Sequence, residues 1–301
     1  MMRRVKTWQV LATLAAISCG CKGNVVTGHR VIEQKTVAKD ATREELLEAH
    51  NLIARSTKSL SATVELRPTA GSTYSGVIDE YHEVKAFLLA ARPAQIRVIG
   101  QAPVIGTTVF DMASDGETFR VSIPSKNKFI VGPVGAERAS SKPIENLRPQ
   151  HLLDALLWPE IRKEESVTLR EFNDENARYY VLTVLRGGYQ VEVLREIWFD
   201  RADLHVTRME TFGPKGALLS DVHLSDWQPV DTAAGQAASS NGAASFPRAI
   251  RIERPHDDYK LDLQVTKIIM NEEIPAERFK LEQPAGAELV RAGEGAENKQ
   301  P

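Results

Sequence analysis

Apolar and polar residues change period several times along this chain, and each change predicts an element. Leu46, Ala49, His50 and Ile53 recur on one face of a 3.6-residue period. Thr42-Arg43-Glu44-Glu45, just before them, is a capping box: the Thr42 hydroxyl can accept from the Glu45 amide while the Glu45 carboxylate reaches back. Together they predict an amphipathic helix over 43–58. From Leu60 the period falls to two. Phe119, Val121 and Ile123 alternate with Arg120 and Ser122; Tyr259, Leu261, Leu263 and Val265 alternate with Lys260, Asp262, Gln264 and Thr266. One dry face and one wet face is the pattern of antiparallel strands, since a parallel sheet buried on both sides reads as continuous apolar runs. Turn signals at Ser114-Asp115-Gly116, Pro124-Ser125-Lys126-Asn127, Arg186-Gly187-Gly188 and Gly213-Pro214-Lys215-Gly216 divide the series into about eleven to thirteen strands. One interruption, Pro149 to Leu157, carries a proline suited to the first helical position and a stripe of Leu152, Leu153, Leu156 and Leu157, which predicts a second helix over 149–157.

The ends of the chain follow other patterns. Arg3, Arg4 and Lys6 precede a short apolar run from Trp8 to Ile17, and the only two cysteines, Cys19 and Cys21, stand behind it. That is the layout of a bacterial lipoprotein signal, and the run is about half the length that spans a bilayer. Ala16-Ile17-Ser18 makes Cys19 the favoured acylation site, with Cys21 the alternative, so 1–18 is read as the signal peptide. A single acyl chain holds a protein to a membrane only marginally, so stable anchoring implies a multiply acylated cysteine. Neither candidate cysteine is followed by Asp, the residue that similar lipoproteins use for inner-membrane retention, so the resemblance implies the outer membrane, facing the periplasm. Residues 19–41 read as a flexible tether; about 20 such residues span near 25 Å by random-coil scaling. Residues 229–245, small and featureless, read as a mobile loop, and 287–301 as a disordered tail.

What remains is a domain over 42–286. With 42% apolar and 26% charged residues, it can bury a substantial core. The formal charge of −2 becomes −5 when Arg3, Arg4 and Lys6 leave with the signal, and no basic stripe invites nucleic acid. A single sheet of this many strands tends to curl. The fold class expected is therefore mostly β (α+β): a curved antiparallel half-barrel with two or three helices capping its concave face. If the helices leave space, the interior is apolar and suits an acyl chain, because burying apolar surface contributes about 25 cal/mol per Å².

Several segments, in order, resemble the LolA/LolB family of lipoprotein carriers and outer-membrane receptors: Arg92-Pro93-Ala94-Gln95-Ile96-Arg97-Val98, then Ala113-Ser114-Asp115-Gly116-Glu117-Thr118-Phe119, then the Pro124 hairpin, and last Asn271 through Pro275 and Phe279 to Gly286. The resemblance implies an eleven-stranded half-barrel with a helical lid around a cavity for acyl chains. It makes Arg92 similar to the carrier arginine that holds the lid through its carbonyls. It also makes Gly100 to Thr107 similar to the receptor loop that enters the membrane, with Val104 and Ile105 at its tip. Ile96, Val98, Phe110, Met112, Phe119, Val121, Leu261, Leu263 and Val265 would line the cavity.

Little points to catalysis. The seven histidines are scattered, with no His-x-x-x-His pair and no cysteine nearby, so neither a zinc site nor any other metal or cofactor is expected. No Gly-x-Ser-x-Gly elbow occurs. The expectation is a non-enzymatic lipoprotein that binds the acyl chains of lipoproteins or lipids, with a periplasmic carrier protein as a possible partner. The alternative is a sensor or scaffold lipoprotein with the same fold and a fully packed interior.

Overall fold

The computed structural model describes residues 37–71, 79–80, 82–135, 147–175, 177–188, 190–232 and 245–292. The segment read as a signal peptide, both cysteines and most of the segment read as a tether lie outside the described residues. Among the described residues are two α-helices and sixteen strands, fourteen of which follow one continuous hydrogen-bonded path through an open, curved sheet.

The path joins two antiparallel meanders. The first runs β1 (Ser59–Ala70), β3 (Val84–Ala91), β4 (Gln95–Gln101), β5 (Thr108–Ser114), β6 (Thr118–Ile123) and β7 (Lys128–Pro133), with the short β2 (Asp79–Glu80) beside β1. The second runs β8 (Glu165–Asn173), β9 (Arg178–Arg186), β10 (Glu192–Asp200), β11 (Val206–Phe212), β12 (Leu218–Pro229), β14 (Ser245–Arg254) and β15 (Tyr259–Met270). β1 pairs with β15, from Leu60 opposite Met270 to Ala70 opposite Tyr259, and so unites them. Alternation in β15 holds from Tyr259 to Thr266, where Tyr259, Leu261, Leu263 and Val265 are buried while Gln264 and Thr266 are exposed, and shifts by one residue beyond, at a bulge against β1.

Two segments depart from the sequence expectation. Within the supposed tail, β16 (Glu288–Arg291) pairs parallel to β7, with Leu289 opposite Phe129. The edge of β7 offers unpaired amides and carbonyls that four residues suffice to satisfy, and four residues between Gly- and Ala-rich stretches carry no readable period. Within the supposed loop, Pro229 ends β12, Ser245 begins β14, and β13 (Asp231–Thr232) pairs parallel to the end of β15; residues 233–244 lie outside the described residues. Three such short strands, β2, β13 and β16, make up the excess of sixteen over the thirteen at the upper end of the expectation.

Helix α1 (Arg43–Ser56) carries the expected capping box, with the Glu45 amide 3.2 Å from Thr42 Oγ1 and the Thr42 amide 2.7 Å from Glu45 Oε2. Its buried stripe is Leu46, His50, Asn51 and Ala54, so Ala49 faces solvent. The stripe turns because two polar side chains dock the helix. Asn51 donates through Nδ2 to the Ile161 carbonyl (3.1 Å) and accepts through Oδ1 from the Ile161 amide (2.9 Å), imitating a strand partner. His50 Nε2 lies 3.1 Å from the Pro159 carbonyl. Helix α2 (Pro149–Leu156) has Pro149 at its start and buries Leu152, Leu153 and Leu156 over β4 and β5, with Leu157 buried just beyond.

Asn51→Ala would leave the buried Ile161 amide and carbonyl without partners, a loss of about 1–3 kcal/mol for each unsatisfied group. Urea unfolding of Asn51→Ala should therefore shift to a clearly lower midpoint at unchanged slope; a midpoint equal to the parent's would remove Asn51 from the docking of α1.

Candidate functional site

Arg92 follows β3 at the rim of the sheet. Its Nε donates to the Thr57 carbonyl at the end of α1 (2.9 Å), and its Nη2 to the Trp158 carbonyl just past α2 (2.7 Å). A guanidinium has five donors and no acceptor, so one side chain rooted in the sheet ties down the C-terminal ends of both helices. Burial pulls its pKa below the ordinary arginine value, an effect that Glu160 opposes. Trp158 is buried beneath this tie, stacked on His50 at 5.6 Å and edge-on to Trp227 at 6.1 Å.

The nine positions expected to line a cavity differ in burial. Ile96, Val98, Met112, Phe119, Leu261, Leu263 and Val265 are buried, and Phe110 and Val121 are half-buried. The leucines of α2 fill the concavity above β4 and β5. The Phe110 ring lies flat against Gly100, where a Cβ would come within 2.3 Å of it, and the Arg148 guanidinium covers the Phe119 ring at 4.4 Å. Ile53, Leu156, Trp158, Trp227, Phe246 and Met270 enclose a gap of about 20 Å³. Leu263 borders a hollow of about 520 Å³ on the polar face of the sheet, where the ion pairs Arg67–Glu83 and Arg251–Asp262 stand.

The space under the helices lies farther along the sheet. A recess of about 260 Å³ is walled by His50 of α1 and by His151, Asp154 and Ala155 of α2. Its floor is Ile197 of β10, Met209 of β11, and Leu219 and Val222 of β12; Arg195 of β10 and Arg254 of β14 also face it. His50 is buried, and since its Nε2 meets a carbonyl, that nitrogen carries the proton. Loss of solvation lowers its pKa to about 4, the Pro159 hydrogen bond opposing and nearby Arg195 assisting. His151, with Nδ1 against the Tyr259 hydroxyl, is likewise held well below the usual histidine value by desolvation, with Arg254 and Arg148 adding to the effect. Asp154 reaches solvent through the mouth, yet protein crowds it and raises its pKa, against the opposing influence of Gln150 and Arg254. The recess thus presents two neutral imidazoles, two guanidiniums, one carboxyl and an apolar floor. Among the described residues no group of three His, Cys, Asp or Glu side chains is placed to hold a metal ion.

Val104 and Ile105 stand at the tip of the β4–β5 hairpin, 94% and 76% exposed. The turn is closed by Ala102 N to Thr107 O (2.9 Å) and Gly106 N to Ala102 O (3.0 Å), and Gly106 adopts φ +66°, which glycine reaches without strain. Among the described residues no helix is long and apolar enough to cross a membrane.

Sequence reasoning missed the recess, although a signal was present. Arg195 and Arg254 occupy positions that strand alternation assigns to the dry face, in the series Arg195, Ile197, Phe199 and Ile250, Ile252, Arg254.

No protein-family model matches the chain, and no curated protein does. Solved structures do. The chain is similar to a LolA superfamily protein from Nitrosomonas europaea (16% identity, 80% of this chain and 99% of that chain, TM-score 0.46). It is also similar to a DUF1329 family protein from Desulfovibrio piger (13% identity, 78% and 94% covered, TM-score 0.49). A third is a putative outer membrane lipoprotein-sorting protein domain from Vibrio parahaemolyticus (12% identity, 78% and 95% covered, TM-score 0.46).

The folded-state pKa of His50, about 4 against 6.5, has a consequence for stability. Below pH 6.5 the unfolded chain takes up a proton that the folded chain refuses, so stability present above pH 6.5 is lost as the pH falls toward 4, by about 3 kcal/mol from this residue at 1.36 kcal/mol per pKa unit. Urea unfolding from pH 7 to pH 4 should show this decline, and His50→Gln should make it shallower by about that amount while His151 still contributes its own share; an equally steep decline in His50→Gln would assign the effect elsewhere.

Proposed function

We propose that this chain is a non-catalytic lipid-handling protein of the cell envelope, held to the outer membrane through an acylated Cys19, or Cys21, and facing the periplasm. It takes acyl chains of lipoproteins or lipids under its helical lid and touches the bilayer with Val104 and Ile105, with no metal or cofactor. The observation that carries this reading is the hairpin tip. Two adjacent branched apolar side chains, almost wholly in water on a well-closed turn, gain free energy on entering a membrane, at about 25 cal/mol per Å² removed from water.

The recess supports the same reading within limits of size. Its 260 Å³ falls just under the roughly 300–1,000 Å³ of ordinary ligand pockets, so loading a long chain requires the helices to lift. Arg92, Asn51 and His50 are the bonds that must give way. The alternative, a sensor or scaffold without lipid, draws on the dense packing over β4 and β5. Native mass spectrometry of protein isolated from membranes separates the two: copurifying lipid supports the first, and a protein that stays empty when offered lipid supports the second.

Ile105→Glu should leave lipid binding intact and reduce transfer to liposomes at least tenfold, because a carboxylate replaces the apolar contact. Unchanged transfer would take the hairpin tip out of the mechanism.

A further inference from the structure

Two arginines stand where the sheet calls for apolar side chains. Arg195 and Arg254 face the helices, with side chains only 14% and 16% exposed. A guanidinium withdrawn from water is costly unless it is paired, and each has a carboxylate: Glu165 lies 3.0 Å from Arg195 Nη2, and Asp257 lies 2.7 Å from Arg254 Nε. Neither Glu165 nor Asp257 borders the recess. Each guanidinium is thus ion-paired from outside the recess, and the recess wall itself carries both guanidiniums and the carboxyl of Asp154, whose crowding by protein disfavours its charge.

The two arginines are not equally engaged. Arg195 spends Nη1 on the Pro159 carbonyl (3.3 Å) and Nη2 on Glu165. Arg254 is bound through Nε alone among the described residues, which leaves both Nη groups for a two-pronged contact of the kind that suits a carboxylate or phosphate. Ser220 borders the same recess, and from there the apolar floor of Ile197, Met209, Leu219 and Val222 runs beneath the helices.

We propose that the recess binds an amphiphile with one anionic head, a carboxylate or a phosphate, the head on Arg254 and the chain over Ile197, Met209, Leu219 and Val222. The inference rests on the acyl-binding reading above and adds to it a requirement for negative charge at one end of the chain. Asp154 opposes the head, and its carboxyl sets how tightly an anion is held.

Titration calorimetry of the full-length protein at pH 8 with decanoate, decyl phosphate and methyl decanoate tests this. The chains are alike, so the head alone differs. At least one of the two anions should bind about tenfold tighter than the ester, the factor that about 1.4 kcal/mol confers; the stronger of the two identifies the head as carboxylate or phosphate. Arg254→Gln should bring anion binding down to the level of the ester while leaving the ester unchanged, Arg254→Lys should keep the preference, and Asp154→Asn should tighten the anions only. If Arg254→Gln does not fold, Arg254→Lys and Asp154→Asn still decide. Equal binding of acid, phosphate and ester to the parent protein overturns the charged-head inference and leaves acyl binding standing, whereas failure of all three to bind removes both.

Discussion

Strands β1 and β15 pair along their length although about 200 residues separate them, and the architecture depends on that ladder. Without it, the two meanders would be separate sheets, each with an apolar face too broad for the helices to cover. Closing so long a loop costs little more entropy than closing a short one, because the cost grows only as the logarithm of length. The junction is stitched at one end by Asn271: its amide donates to Ser59 O, its Nδ2 donates to Ser56 O, and its Oδ1 accepts from Lys58 N. The end of α1, the start of β1 and the end of β15 thus meet in one hydrogen-bonded knot. The lid is hung from the same seam that joins the sheet.

The lid is held by few polar bonds over a large apolar contact. Arg92, Asn51 and His50 each address backbone carbonyls or amides near the helix ends and in the 157–161 segment. Apolar burial supplies most of the free energy but is indifferent to direction; hydrogen bonds to particular carbonyls fix where the helices sit. Over β4 and β5 the leucines of α2 are buried, and beside Ile197, Met209 and Val222 of β10 to β12 a recess of about 260 Å³ borders His151, Asp154 and Ala155 of the same helix.

Much of this was legible in the residues. The capping box at Thr42, the proline-led leucine stripe of α2, the period-two alternation of β15 and the Ser114-Asp115-Gly116 turn each express a local rule that the surrounding structure does not override. The tip at Val104 and Ile105 was legible too, because Pro103 and Gly106 confine it to a turn whose own backbone bonds close it. β16 and β13 were not, since they exist only because neighbouring strands had backbone groups to satisfy.

The sequence by itself determined the kinds of element, their caps and turns, and which face of each strand is dry, because these depend on contacts within a few residues. Tertiary structure alone decided that Ile96, Val98 and Met112 pack as core rather than line a cavity, because whether a dry face is filled depends on the side chains of a helix some 40 to 60 residues away. It also decided that a recess opens beside Arg195 and Arg254, bordered by His151, Asp154 and Ala155 of α2. Alternation states which way a side chain points; only the docking of another element states whether anything is there to meet it.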